Sequence, residues 1–225
     1  KNREPPSPTI GGKKGFFKIK SIKFGVLTAQ NIVTHTKSFK NKIVADELTF
    51  SFFKGQARGA GFFAFLPPYP WKLSLRIGQI SLHEICDQIP GFKDALSGRV
   101  TTALTLKGNG GKLSSMNGAF YAKTLKNTHE PLRISQEFIR KLTGKKGRLF
   151  FFQKYRPYNK GVIEAQIDKG IITFKSLELS HKFLGFKDLS IAVSRFSNKI
   201  SIKDLIWEIL QVSKSNVNQP IIKTK

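Results

Sequence analysis

The sequence predicts a mainly β fold. The expected form is an antiparallel, strongly curved sheet (a groove, open barrel or sandwich) of about ten to twelve strands with two or three short helices. Three observations predict it. Apolar residues recur with a period of two along most of the chain. Glycines fall between the alternating segments, where turns belong. Helical spacing is confined to two or three short stretches.

Taken in order, residues 1–15 (KNREPPSPTIGGKKG) read as a flexible linker, because Pro5, Pro6 and Pro8 favour extended chain and three glycines loosen it. Residues 16–24 (FFKIKSIKF) and 73–82 (LSLRIGQISL) alternate but slip phase near Ser21 and Gly78, as bulges or tight corners require. Leu48, Phe50 and Phe52 alternate with Thr49 and Ser51, and Leu73, Leu75 and Ile77 with Ser74 and Arg76. Val100, Leu104 and Leu106 alternate with Thr101, Thr105 and Lys107. Ile163, Ala165 and Ile167 continue the pattern, as do Leu189, Ile191 and Val193. Each segment has one apolar and one polar face. A helix is expected over Ser135–Leu142, with Ser135 as N-cap and Ile134, Phe138, Ile139 and Leu142 near one face. A second begins near Asp204 and carries Leu205, Ile206, Ile209 and Leu210. A weaker helical signal spans 82–88. The expected single domain is 16–212, with a candidate subdivision near 90–98 and a polar tail at 213–225.

The 225 residues contain 39 Lys+Arg against 14 Asp+Glu, a formal charge of +25, and 20 Phe. So many aromatics exclude a chain disordered by composition. A single cysteine, Cys86, excludes an internal disulfide framework. The apolar stretch 59–66 is far shorter than the roughly 20 residues a membrane-crossing helix needs. The charge predicts anionic partners: lipid head groups, an acidic protein or nucleic acid. A generally solvated basic surface explains it equally simply, because Lys is spread along the whole chain.

Residues 95–122 (ALSGRVTTALTLKGNGGKLSSMNGAFYA) set a turn glycine, an alternating strand ending Leu106-Lys107-Gly108, a polar loop, then Asn117-Gly118 opening another strand. This order resembles the C-terminal region of the AsmA-like family. Residues 24–33 (FGVLTAQNIV), 45–59 (ADELTFSFFKGQARG) and 161–179 (GVIEAQIDKGIITFKSLEL) resemble other units of that family. The motifs are turn glycines and alternating apolar positions, not reactive groups. The chain departs from the family pattern after Gly118, running through His129, Pro131 and a basic helix. The resemblance implies a β-rich periplasmic part of a bacterial envelope protein that binds or moves lipid in outer-membrane biogenesis. It also implies other envelope proteins as partners. An anchor in the inner membrane would lie outside this chain, which begins at Lys1.

No constellation for catalysis stands out, so a non-enzymatic role is expected, without cofactor or metal. His35, His83, His129 and His181 form no metal spacing. Cys86 and His83 would share a helical face, as a thiol–imidazole pair needs, but a buried structural thiol is the simpler reading. Adjacent Asp46 and Glu47 would point to opposite faces of a strand.

Two leads remain. Arg133, Arg140, Lys141, Lys145, Lys146 and Arg148 fall within 16 residues, and Lys154 and Arg156 follow among Phe150, Phe151, Phe152, Tyr155 and Tyr158. Cations beside aromatics suit an anionic lipid or membrane surface. Nucleic acid would use the same chemistry, but no RNA-binding motif accompanies it. The second lead is apolar. Phe50, Phe52, Phe62, Phe65, Leu75, Ile77, Leu104, Leu106, Phe120 and Phe174 are expected to line a groove for acyl chains, or else an ordinary core.

Overall fold

A computed structural model describes residues 12–89, 91–143, 154–183, 186–192 and 198–217. The first half is a meander: β1 (Lys13–Phe24), β2 (Leu27–Ser38), β3 (Lys42–Phe52), β4 (Gly55–Ala64) and β5 (Pro70–Ser81). Then come α1 (Leu82–Asp87), β6 (Leu96–Ser97), β7 (Arg99–Asn109) and β8 (Asn117–Thr124). The remainder is β9 (Arg133–Ser135), α2 (Gln136–Thr143), β10 (Tyr155–Pro157), β11 (Lys160–Asp168), β12 (Ile171–Phe183), β13 (Phe186–Ala192), β14 (Lys199–Ser201) and α3 (Ile202–Val217). The molecule is mainly β, as the alternation predicts. One antiparallel sheet of 11 strands runs β1-β2-β3-β4-β5-β7-β8-β11-β12-β13, with β14 paired to β12. A small sheet, β10-β9-β6, stands beside it. The large sheet does not close on itself.

Ser135 caps its helix as expected, and α1 has a cap, Ser81, that was not singled out from sequence. Ser135 Oγ accepts the Phe138 N–H at 3.1 Å, and Ser81 Oγ accepts the Glu84 N–H at 3.3 Å. The phase slip at Gly78 is a register shift between Ile77 and Ile80, with Gln79 at φ 58°. The slip expected near Ser21 is present and is shared with β2: β1 and β2 stay in register past it, while Asn31 has φ 53° and the pairing of β2 to β3 shifts between Gln30 and Val33. β1 begins at Lys13, inside the stretch read as linker, and α3 runs to Val217, past the start of the stretch read as tail.

Cross-strand register sorts the side chains. Directly paired residues share a face. Leu75 pairs with Leu104, Leu104 with Phe120, Phe120 with Ala165 and Ala165 with Phe174. A neighbouring row runs from Phe50 through Ala57 and Ile77 to Thr102, Ala122 and Ile163. The opposite face carries Arg58, Arg76, Ala103, Tyr121 and Glu164 in one row. Gly118 continues the apolar face where strands crowd: a Cβ there would lie 2.0 Å from the Thr105 carbonyl oxygen.

The sheet curls toward its apolar face. The Ile202 N–H donates to Gly170 O at 2.8 Å, which fixes the start of α3 beside β12. Seven residues later Ile209 meets Gly25, at the β1–β2 turn, within 2.9 Å of where a Cβ would sit. Those seven residues rise about 10 Å. The seven strand spacings from β12 to β2 would cover roughly 33 Å in a flat sheet. Twist and curvature, common in large sheets, must make up the difference.

Two clusters cap the apolar face at its last strands. Ile134, Ile139, Tyr158 and Leu189 form one, with Leu179 and Ile191 packed on them. Ala165, Ile167, Ile172 and Ile202 form the other, joined by Leu106, Phe120, Phe174 and Ile206. Phe50, Phe52, Leu75, Ile77 and Leu104 are half-buried and belong to neither cluster.

Candidate functional site

The apolar track is the central feature of the candidate site. Of the ten apolar positions singled out from sequence, the register sets Phe50, Phe52, Leu75, Ile77, Leu104, Leu106, Phe120 and Phe174 on one face. All eight are half-buried. Phe62 does not join them. It pairs with Val44 and Lys72, on the polar face, because β4 places Phe62 and Phe63 on opposite sides. Phe63 is the groove-side residue, paired with Trp71. Phe65 lies just past β4, its ring 6.0 Å from that of Phe63. The pairing of Gly59 with Leu75 sets the phase that, carried along β4, leads to Phe63.

The described members of the cationic cluster do not share one face. Lys145, Lys146, Arg148 and Phe150–Phe152 lie outside the described residues. Arg133 pairs with Pro157, whereas Arg156 pairs with the buried Ile134, so the two arginines point to opposite faces of the small sheet. Arg140 is exposed on α2, which also carries Lys141. Lys154 sits over the Tyr155 ring at 5.2 Å.

Arg133 also lines a cavity of about 530 Å³ with Lys54, Glu84, Arg99 and Glu130. This cavity is not purely cationic. Lys54 pairs with Glu84, and Arg99 with Glu130 at 3.5 Å. Glu130 further accepts the Ser81 hydroxyl at 2.9 Å and the Gly98 N–H at 3.3 Å. Such paired charges have little left to attract an anion.

The titratable groups pair in ways that differ from simple alternation. Asp46 bonds Lys37 at 2.6 Å and Glu47 lies 3.5 Å from His35. His35 and Lys37 share one face of β2. A register shift between Ala45 and Leu48 inserts the extra residue that brings both acids to that side, against the expected opposite faces. His83 stands between two carboxylates, with Nε2 3.3 Å from Asp87 and Nδ1 3.8 Å from Asp94. These three offer ligand atoms within 4.8 Å of one another, but the acids flank opposite nitrogens of one imidazole. That arrangement suits an ion pair better than joint coordination.

Cys86 is buried, and burial pushes its thiol up to about 11. Thiolate chemistry is thereby suppressed. Iodoacetamide at pH 8 is expected to label Cys86 far more slowly in the native protein than in urea. Equal rates would contradict the burial. A raised folded-state value also means that the thiol's contribution to stability is complete below its ordinary value of 9.0 and fades as pH rises from there toward 11. Burial likewise holds the Tyr158 phenol above its usual range, while its hydroxyl donates to Ser97 O at 2.7 Å.

Comparison of the chain with family models, curated proteins and solved structures finds no match in any of the three.

Proposed function

We propose that this protein binds acyl lipid along the apolar face of its large sheet and helps to move it, acting as a carrier rather than an enzyme. The supporting observation is the registered track from Leu75 through Leu104 to Phe120 and Phe174, on a sheet that curls without closing. Burying each lipid methylene there contributes about 0.8 kcal/mol, so a single acyl chain supplies its own driving force. A periplasmic setting beside the inner membrane, in outer-membrane biogenesis, belongs to this proposal. It rests on the strand-and-glycine resemblance to AsmA-like proteins.

The test is solvent extraction of the purified protein followed by mass spectrometry. Co-purified or transferable acyl lipid, near one per protein, is the expected result. Protein free of lipid that also fails to take up a fluorescent fatty acid would sink the groove reading. A structural module in an envelope complex would then be the better account.

A further inference from the structure

Among the described residues β1 ends the large sheet and is hydrogen-bonded to a neighbour on one side only, β2. Its sequence, KKGFFKIKSIKF, carries Lys13, Lys14, Lys18, Lys20 and Lys23 and no acid. Lysines on an edge strand commonly guard it against pairing with another chain. That reading leaves the apolar residues unexplained. Phe16, Phe17, Ile19, Ile22 and Phe24 are between 43% and 59% exposed. Register sets Phe17, Ile19, Ile22 and Phe24 on the apolar face of the sheet and Phe16 on the other, so the apolar face reaches the open edge still exposed. The acids of β3, two strands away, leave this charge in place, since Asp46 pairs with Lys37 and Glu47 lies against His35.

We infer that β1 is the strand by which the protein docks on the surface of an anionic lipid bilayer. Charge complementarity and geometry together favour this occupant. A second copy pairing edge to edge would set one row of lysines against another. An acidic peptide adding as a strand would satisfy the free backbone groups yet leave the exposed Phe and Ile side chains in water. A bilayer interface meets each need: phosphates for the lysines, the acyl boundary for Phe and Ile, and water and head groups for the unpaired edge. That edge also limits depth, because unpaired backbone groups are costly in hydrocarbon. The strand therefore rests at head-group level.

The apolar surface continues past the β1–β2 turn. Ile209 of α3 packs on Gly25, and in the same helical turn Trp207 and Leu210 are exposed. Lys203, Trp207 and Leu210 fall along one helical stripe, apart from Asp204 and Glu208. Tryptophan is favoured at membrane interfaces. The β1 rings prolong the face of the apolar track to the sheet's edge, away from the 133–156 cluster, and docking through them and the β1 lysines does not require lipid in the groove.

Flotation with phosphatidylcholine vesicles, with and without phosphatidylglycerol, tests it. The protein is expected to float with the anionic vesicles only and to be released by salt. Lys18→Gln with Lys20→Gln should weaken binding about thirtyfold, taking about 1 kcal/mol per lysine near the surface. Phe17→Ser with Phe24→Ser should weaken it at every salt concentration, and the circular dichroism of all variants should be unchanged. Absence of vesicle binding overturns the inference, as does full binding by the lysine variant. So does loss of binding in Arg133→Gln with Arg140→Gln alone, which would move the contact to the small sheet and α2. Sedimentation showing a dimer that the β1 variants dissolve would assign the edge to a second copy instead.

Discussion

Leu104→Glu is expected to leave the sheet folded and to strip acyl lipid from the protein. Leu104 pairs with Leu75 on one side and Phe120 on the other, in the middle of the apolar track. It is half-buried and lies in neither core cluster. A carboxylate there keeps contact with water as long as the groove is open, so its desolvation cost is small. The same charge inside a dry, closed sandwich would cost several kcal/mol and unfold a marginal domain. In the open groove it interrupts the path of the chain. Losing contact with two methylenes, at about 0.8 kcal/mol each, lowers affinity roughly fifteenfold. The measurements are lipid per protein by mass spectrometry and fold by circular dichroism. An unfolded variant would mean a closed core, and a folded variant with undiminished lipid would move the binding site elsewhere.

Ile134→Ala is expected to be among the most destabilising single truncations, at about 2–5 kcal/mol. Ile134 has no exposed surface, and among the described residues it is the largest side chain that is fully buried. It sits in β9 between Leu96 and Arg156 of the flanking strands and packs in the cluster of Ile139, Tyr158 and Leu189. That cluster fastens α2 and the small sheet onto the last strands of the large one. Backbone bonds such as Asn159 N–H to Ser180 O hold the same elements in place, so the cavity left by the truncation has little chance to collapse. Urea denaturation should show a lower midpoint at similar slope. Phe62→Ala, on the polar face, should change stability by no more than about 0.5 kcal/mol. If the two variants behaved alike, the small sheet would not be anchored through Ile134.

Much of the candidate site was legible before the fold. Period-two alternation sorts Leu75, Leu104, Leu106, Phe120 and Phe174 onto the apolar side of their own strands without knowledge of which strands are neighbours. Phe62 was misplaced because two adjacent phenylalanines give alternation no phase of their own. The pairing of Gly59 with Leu75 supplies it. The acids at 46 and 47 were misread for a related reason: a bulge adds one residue, and no local signal announces it. The basic cluster at 133–156 is close in sequence, yet Arg133 and Arg156 end on opposite sides of a three-stranded sheet. Closeness along the chain does not survive a turn in which the strand reverses. The exposed edge of β1 was invisible in the sequence, since FFKIKSIKF reads the same in a central strand as at an edge.

The sequence by itself determined the class of the fold, the helix cap at Ser135, and the apolar side of the strands that alternate without interruption. These are local properties, set by alternation, capping and turn chemistry within a few residues. The tertiary structure alone decided which strand lies at the edge, how the apolar rows join across the sheet, and that the +25 charge is partly spent on paired acids while the β1 lysines face no acid among the described residues. The physical reason is that pairing, burial and charge compensation depend on neighbours brought together from distant parts of the chain. No window of sequence contains them.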